Sequence, residues 1–203
     1  MTPAADRPII VAVTGASGAP YAVRLIEALV ERQQRVSLIV SDHGVRLLKT
    51  EMDIESVAAL RERVGVAGWD TVVRVYDDRD RGAAPASGSA LSAGMVICPC
   101  SMGTMSAIAV GASRSLVERA ADVTLKERRR LILVPRESPY SAIHLENMMT
   151  LTRAGAVILP ASPGFYHRPR TIGDLVDFIV GRVLDQLGVE QALVPRWGSE
   201  SSE

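Results

Sequence analysis

The amino-acid sequence predicts an α/β fold built on a mostly parallel, doubly wound sheet. About six short apolar runs, rich in Val and Ile, punctuate the chain, and most alternate with segments of helical periodicity. Several runs end in Gly, Ser and Thr, residues that suit strand-to-helix turns. In a parallel sheet such turns gather on one edge, where α/β folds take their ligands.

The first run, Pro8 to Thr14 (PIIVAVT), is followed by Gly15-Ala16-Ser17-Gly18-Ala19 and by a helix from Tyr21 to Arg32, with Ala22, Leu25, Ile26 and Leu29 on one face. Glycine lets a ligand approach the backbone closely, and a helix N-terminus offers N–H groups to a phosphate. Ser17 has a second reading as a simple N-cap. The turn lacks the Gly-x-Gly-x-x-Gly spacing of a dinucleotide site. The second strand, Arg35 to Ser41, leads through Ser41-Asp42-His43-Gly44 into a helix through Leu48. His43 has no partner at metal or triad spacing and reads as a cap or surface histidine.

Between Glu51 and Ala93 the pattern loosens. Ile54 to Val64 reads as a helix, Val72 to Tyr76 as an edge strand and Asp77 to Gly82 as a polar turn. The small residues of Ala84 to Gly94 suggest a loop folded over a site or a neighbour. Met95 to Cys98 is a buried strand ending in Pro99-Cys100-Ser101-Met102-Gly103-Thr104, a second candidate cradle, with a helix to about Ala112. An amphipathic helix spans Ser113 to Arg128.

Leu131 to Val134 then delivers Pro135-Arg136-Glu137-Ser138-Pro139, a guanidinium next to a carboxylate between two prolines. This suits an anion held beside a proton-transfer group; its simpler reading is a surface ion pair. Ser141 to Ala154 is helical and carries His144, Met148 and Met149, the methionines reading as core. The last strand, Ala156 to Pro160, opens into Pro163-Gly164-Phe165-Tyr166-His167-Arg168-Pro169. The closing helix, Ile172 to Leu187, contains Arg182, and a tail from 189 to 203 includes Pro195-Arg196-Trp197-Gly198. The chain reads as one domain, 1–203, with residues 1–7 a flexible N-terminus.

Composition narrows the function. With 23 basic and 23 acidic side chains the formal net charge is zero, against a dedicated nucleic-acid binder. In the run Lys126-Glu127-Arg128-Arg129-Arg130 the three arginines read as a solvated helix end favoured by the C-terminal dipole, while the Lys126 cation would belong with a second anion site. No apolar stretch approaches a membrane span, and Met1 to Arg7 has no apolar signal region, so a cytoplasmic location is expected. The two cysteines, Cys98 and Cys100, have neither disulfide nor zinc spacing and fit small buried groups in a reducing compartment. There is no paired-carboxylate cluster for magnesium and no Walker lysine, so a phosphorylated ligand would be neutralised by Arg and Lys, with no metal.

Taken with Arg119-Ala120-Ala121-Asp122-Val123 leading to Lys126-Glu127-Arg128, these motifs resemble the UbiX family of flavin prenyltransferases over nearly the whole chain, from about Ile9 to Trp197. The resemblance implies a three-layer Rossmann-like or flavodoxin-like fold assembled as a homododecamer. It implies an enzyme that joins a dimethylallyl group from dimethylallyl phosphate to N5 and C6 of reduced FMN, the product serving UbiD-type decarboxylases. Carried over by position, it implies that Gly15, Ala16, Ser17, Ser41, Ser101, Met102, Gly103, Thr104 and Arg136 hold FMN. Lys126, Glu137, Tyr166 and Arg182 would surround the prenyl phosphate with Arg119 as a further candidate, and Trp197 would close over the site. Ser17, Lys126, Glu137 and Tyr166 are the expected catalytic residues.

Two rivals carry weight. A flavin-dependent cysteine decarboxylase of related fold would have an Asn-rich Pro-x-Met-Asn motif, where this chain has Pro135-Arg136-Glu137-Ser138-Pro139. A non-catalytic FMN carrier would be favoured by loss of Lys126, Glu137 or Tyr166, all present.

Overall fold

The computed structural model describes residues 7–194. Its strands are β1 (Ile9–Val13), β2 (Val36–Val40), β3 (Val73–Tyr76), β4 (Gly94–Cys100), β5 (Leu131–Pro135) and β6 (Val157–Ile158). They form one sheet in the order β3-β2-β1-β4-β5-β6, and all five pairings are parallel. The helices are α1 (Ala19–Glu31), α2 (Asp42–Met52), α3 (Val57–Val64), α4 (Val66–Val72), α5 (Met102–Ala109), α6 (Leu116–Lys126), α7 (Ala142–Arg153) and α8 (Ile172–Leu187). Strand order reverses between β1 and β4, so their carboxyl ends flank the crevice where doubly wound sheets bind ligands.

Alternation along each strand builds two cores. Ile9, Val11, Val13, Val96, Cys98 and Ile132 face a layer that includes α1, α3, α4 and α8. Ile10, Ala12, Met95, Ile97 and Leu133 face α5, α6 and α7. Central strands buried on both faces explain why the sequence reads as continuous apolar runs, each large aliphatic side chain contributing about 1.5–3 kcal/mol by leaving water.

Several boundaries differ from expectation. The second helix runs on to Met52, where Asp53 ends it in a left-handed conformation, and residues 57–72 hold two short helices that meet at Gly65. β4 continues through Pro99 to Cys100 by way of a register shift after Ile97. β6, at the sheet's edge, is only two residues long and pairs with β5. The loop 77–93 folds along α6. Asp78 receives the Leu116 and Val117 N–H groups at one end, while Arg129 donates to the Gly88 and Ala90 carbonyls at the other.

The register shift puts Cys98 and Cys100 in opposite core layers, both free and fully buried. Burial pushes the Cys98 thiol up to about 12, and that of Cys100 higher still. Neutral, enclosed thiols react slowly. Both cysteines are therefore expected to resist alkylation in the native protein at pH 8 and to label fully in guanidinium chloride, as read by intact mass.

Thr14 joins the two halves of the sheet. The residue is 2% exposed, and its hydroxyl donates to the Pro99 carbonyl at 2.9 Å and accepts from the Ser101 N–H at 2.9 Å. Thr14→Val keeps the shape but strands the Ser101 donor, so a loss of about 2 kcal/mol is expected in urea unfolding.

Candidate active site at the carboxyl edge of the sheet

Because every strand is parallel, the exits after β1, β2, β4, β5 and β6 open on one edge. The first exit is Thr14 to Gly18. A Cβ on Gly15 would lie 2.6 Å from the His43 Cβ, so only glycine lets the start of α2 close against this turn. Gly44 is still tighter, since a Cβ there would meet the Val13 carbonyl oxygen. His43 is exposed, in line with its reading as a surface histidine, while its Cβ lies against the Gly15 turn.

Ser17 is not the N-cap of α1; that position is Gly18, with φ 129°, and it has no side chain to accept a bond. The acceptor comes from α2. Glu51 Oε2 takes the N–H groups of Gly18 at 2.9 Å and Ala19 at 2.8 Å. A carboxylate therefore sits at the positive end of α1, which the sequence had suggested for a phosphate. Ser17 is half-buried in the turn, its hydroxyl not needed for capping.

Ser41 and Ser101 each cap a helix. Ser41 Oγ accepts from the Gly44 N–H at 3.0 Å and donates to the Val13 carbonyl at 3.2 Å. Ser101 Oγ accepts from the Thr104 N–H at 3.2 Å and bonds the Thr104 hydroxyl at 3.0 Å. Met102 and Gly103 form the first turn of α5. Three exits thus bring small residues, hydroxyls and helix starts to both sides of the crevice. Small residues, hydroxyl groups and helix starts of this kind suit a flat, phosphorylated ring system such as a flavin.

The fourth exit carries Arg136, exposed, and Glu137, half-buried, whose Oε1 accepts the Ser138 N–H at 3.0 Å. No ion pair joins the two among the described residues, so the surface-pair reading fails. The fifth exit presents Tyr166, 68% exposed and edge-on to Phe178 with ring centroids 5.7 Å apart. His167 stacks on the same Phe178 at 5.0 Å. Asp174 pins the end of this loop, and the Arg170 and Thr171 N–H groups it accepts hold its carboxyl below the usual range.

The remaining predicted cations are not all here. α6 runs antiparallel to the strands, from Leu116 beside Asp78 to Lys126 just ahead of the amino end of β5. Arg119, in its first turns, pairs with Asp122 at 2.7 Å. Lys126 lies at the opposite rim, paired with Glu127 and close to Gly88. Arg182 stands in the later half of α8, one turn before Gln186, whose carbonyl accepts from Arg130 at the start of β5. The expectation that Lys126 and Arg182 surround Glu137 and Tyr166 is therefore corrected for a single copy. They flank opposite faces of the sheet, toward its amino edge. Trp197 lies outside the described residues.

Sequence reasoning missed Glu51 and the bridging role of Thr14. Thr14 had a signal, a polar residue closing an apolar run; Glu51 had none until α2 was seen to extend past Leu48.

A sequence model of the Flavoprotein family matches residues 2–184. Flavin prenyltransferase UbiX of Pseudomonas aeruginosa is 51% identical over 199 residues, covering 95% of this chain and 94% of that protein. The chain belongs to the flavin prenyltransferase family. Among solved structures, a UbiX (PadA1) complex with FMN and dimethylallyl pyrophosphate superposes with a TM-score of 0.88, at 40% identity, over 96% of this chain and 99% of that one. A dodecameric FMN-dependent UbiX-like decarboxylase from Escherichia coli O157:H7 gives 0.86 at 40% identity, over 95% and 100%. Family membership also agrees with the motifs at the strand exits, which lie on this edge. Among the described residues no helix is long and apolar enough to cross a membrane, and no group of three or more His, Cys, Asp or Glu could hold a metal ion.

Proposed function

We propose that this protein transfers a dimethylallyl group from dimethylallyl phosphate to N5 and C6 of reduced FMN. The observation that carries this reading is the convergence of the Thr14, Ser41, Ser101 and Glu137 exits on one edge of a chain in the flavin prenyltransferase family. The flavin, when bound, supplies the nucleophile. Gly15 to Ser17, Ser41 and Ser101 to Thr104 form its floor, with Arg136 free to pair with its phosphate.

The chain's own groups handle charge and protons. Arg119, Lys126 and Arg182 neutralise the departing phosphate without a metal. Tyr166 offers a ring face to the allylic cation, and the crowded aromatic loop helps keep water out. Glu137 or the released phosphate takes the proton lost at the second bond, and Ser17 helps a proton move beside N5. The cations at the amino rim reach such a site only from other copies, so the working form is a homo-oligomer, with the relative's dodecamer as its model. The product passes to a UbiD-type decarboxylase.

The test is anaerobic incubation with reduced FMN and dimethylallyl phosphate, then mass analysis of the released flavin. A gain of one C5 unit that needs the donor is expected. Unmodified flavin from a protein that binds FMN tightly would refute transfer from this donor.

A further inference from the structure

At the rim opposite the flavin floor, the amino ends of β1, β4, β5 and β6 border a cleft of about 1090 Å³. Five arginines line it, Arg7, Arg32, Arg128, Arg129 and Arg130, against the single carboxylate of Glu190. Three of them have evident structural work. Arg32 donates to the Ala28 and Glu190 carbonyls, Arg129 to Gly88 and Ala90, and Arg130 to Gln186. Arg32 and Arg130 serve carbonyls at the ends of α1 and α8, where helix C-termini gather partial negative charge, and Arg129 ties down the 77–93 loop.

Capping does not account for the others. Arg7 Nε is buried without a hydrogen-bond partner, and so is the hydroxyl of Ser92, a residue only 6% exposed that lines the same cleft. Buried donors of this kind are costly unless something accepts from them. Arg128 is held in a left-handed backbone conformation (φ 56°) at the cleft, with no ion pair among the described residues. Two uncommitted guanidinium groups and an orphaned hydroxyl, beside three more cations, ask for a ligand with many acceptor oxygens and several negative charges. No aromatic side chain lines the cleft, so a stacked base is not what it recognises.

We infer that the amino-edge cleft is a second anion site, binding a small molecule through a diphosphate group by Arg7, Ser92 and Arg128. It shares no lining residue with the flavin floor and does not depend on the proposed reaction.

The test uses the full-length protein loaded with oxidised FMN and saturated with dimethylallyl phosphate, so that the prenyl site is filled. Inorganic diphosphate and ADP are titrated separately by calorimetry at constant ionic strength. One equivalent per chain is expected for at least one of them, and the tighter of the two tells whether the group is free or carried on an organic molecule. Arg7→Gln combined with Arg128→Gln should weaken it about tenfold or more, and Ser92→Ala severalfold, with FMN affinity unchanged. Absence of binding by both probes, equal binding by the double variant, or the same heat from sulfate would overturn the site. Equal FMN affinity in all variants guards against misfolding as the cause.

Discussion

Lys126→Ala and Glu137→Gln proteins, each nearly inactive alone, are expected to regain activity when their subunits are mixed. The reason is the direction of α6, which places Lys126 at the amino rim while Glu137 sits at the carboxyl rim of the same sheet. If a site takes its lysine from one copy and its carboxylate from another, random mixing leaves about a quarter of sites with both groups intact. Co-expression with two affinity tags, followed by the prenylation assay on doubly tagged oligomers, measures this. Recovery near zero would mean that one chain supplies both groups. Alone, Glu137→Gln should lower turnover by about 10²–10⁴-fold and leave FMN affinity unchanged, as expected for a group that handles a proton.

Glu51→Ala is expected to weaken FMN binding about tenfold or more and to cost about 2–3 kcal/mol of stability. The carboxylate accepts two backbone N–H groups at the start of α1, next to the Gly15 turn, and no side chain at Gly18 can replace it. Glu51→Gln keeps an acceptor oxygen but gives up the charge opposite the helix dipole, so it should lie between wild type and Glu51→Ala. Fluorescence titration of FMN and urea unfolding separate the two effects. If Glu51→Ala matches wild type in both, the cap is ornamental.

The apolar runs made the sheet readable, because strands buried on both faces must be apolar throughout. The Gly and Ser residues at their ends made the proposed flavin floor readable, since few other residues turn a chain so tightly beside a helix start. Lys126 was harder. The rule that a helix after a parallel strand runs back toward the amino edge contains the answer, yet motif proximity to Arg136-Glu137 along the chain suggests the reverse. Glu51 depended on the true length of α2, which weak helix formers such as Thr50 and Asp53 leave undetermined in the sequence. The partners of Tyr166 came from the stacking of His167 on Phe178, a contact between a loop and a helix face that no local pattern announces.

Thr14 marks a seam. Residues 9–76 form one half of the sheet and residues 94–158 the other, and the proposed ligand floor straddles the join. A molecule held by Ser41 on one side and Ser101 on the other acts as a rivet across that seam. Its binding energy then belongs to the integrity of the whole protein as much as to the reaction. A weakened grip at one exit should surface as earlier melting of the entire sheet, and heat tolerance becomes a running report on whether the enzyme is charged.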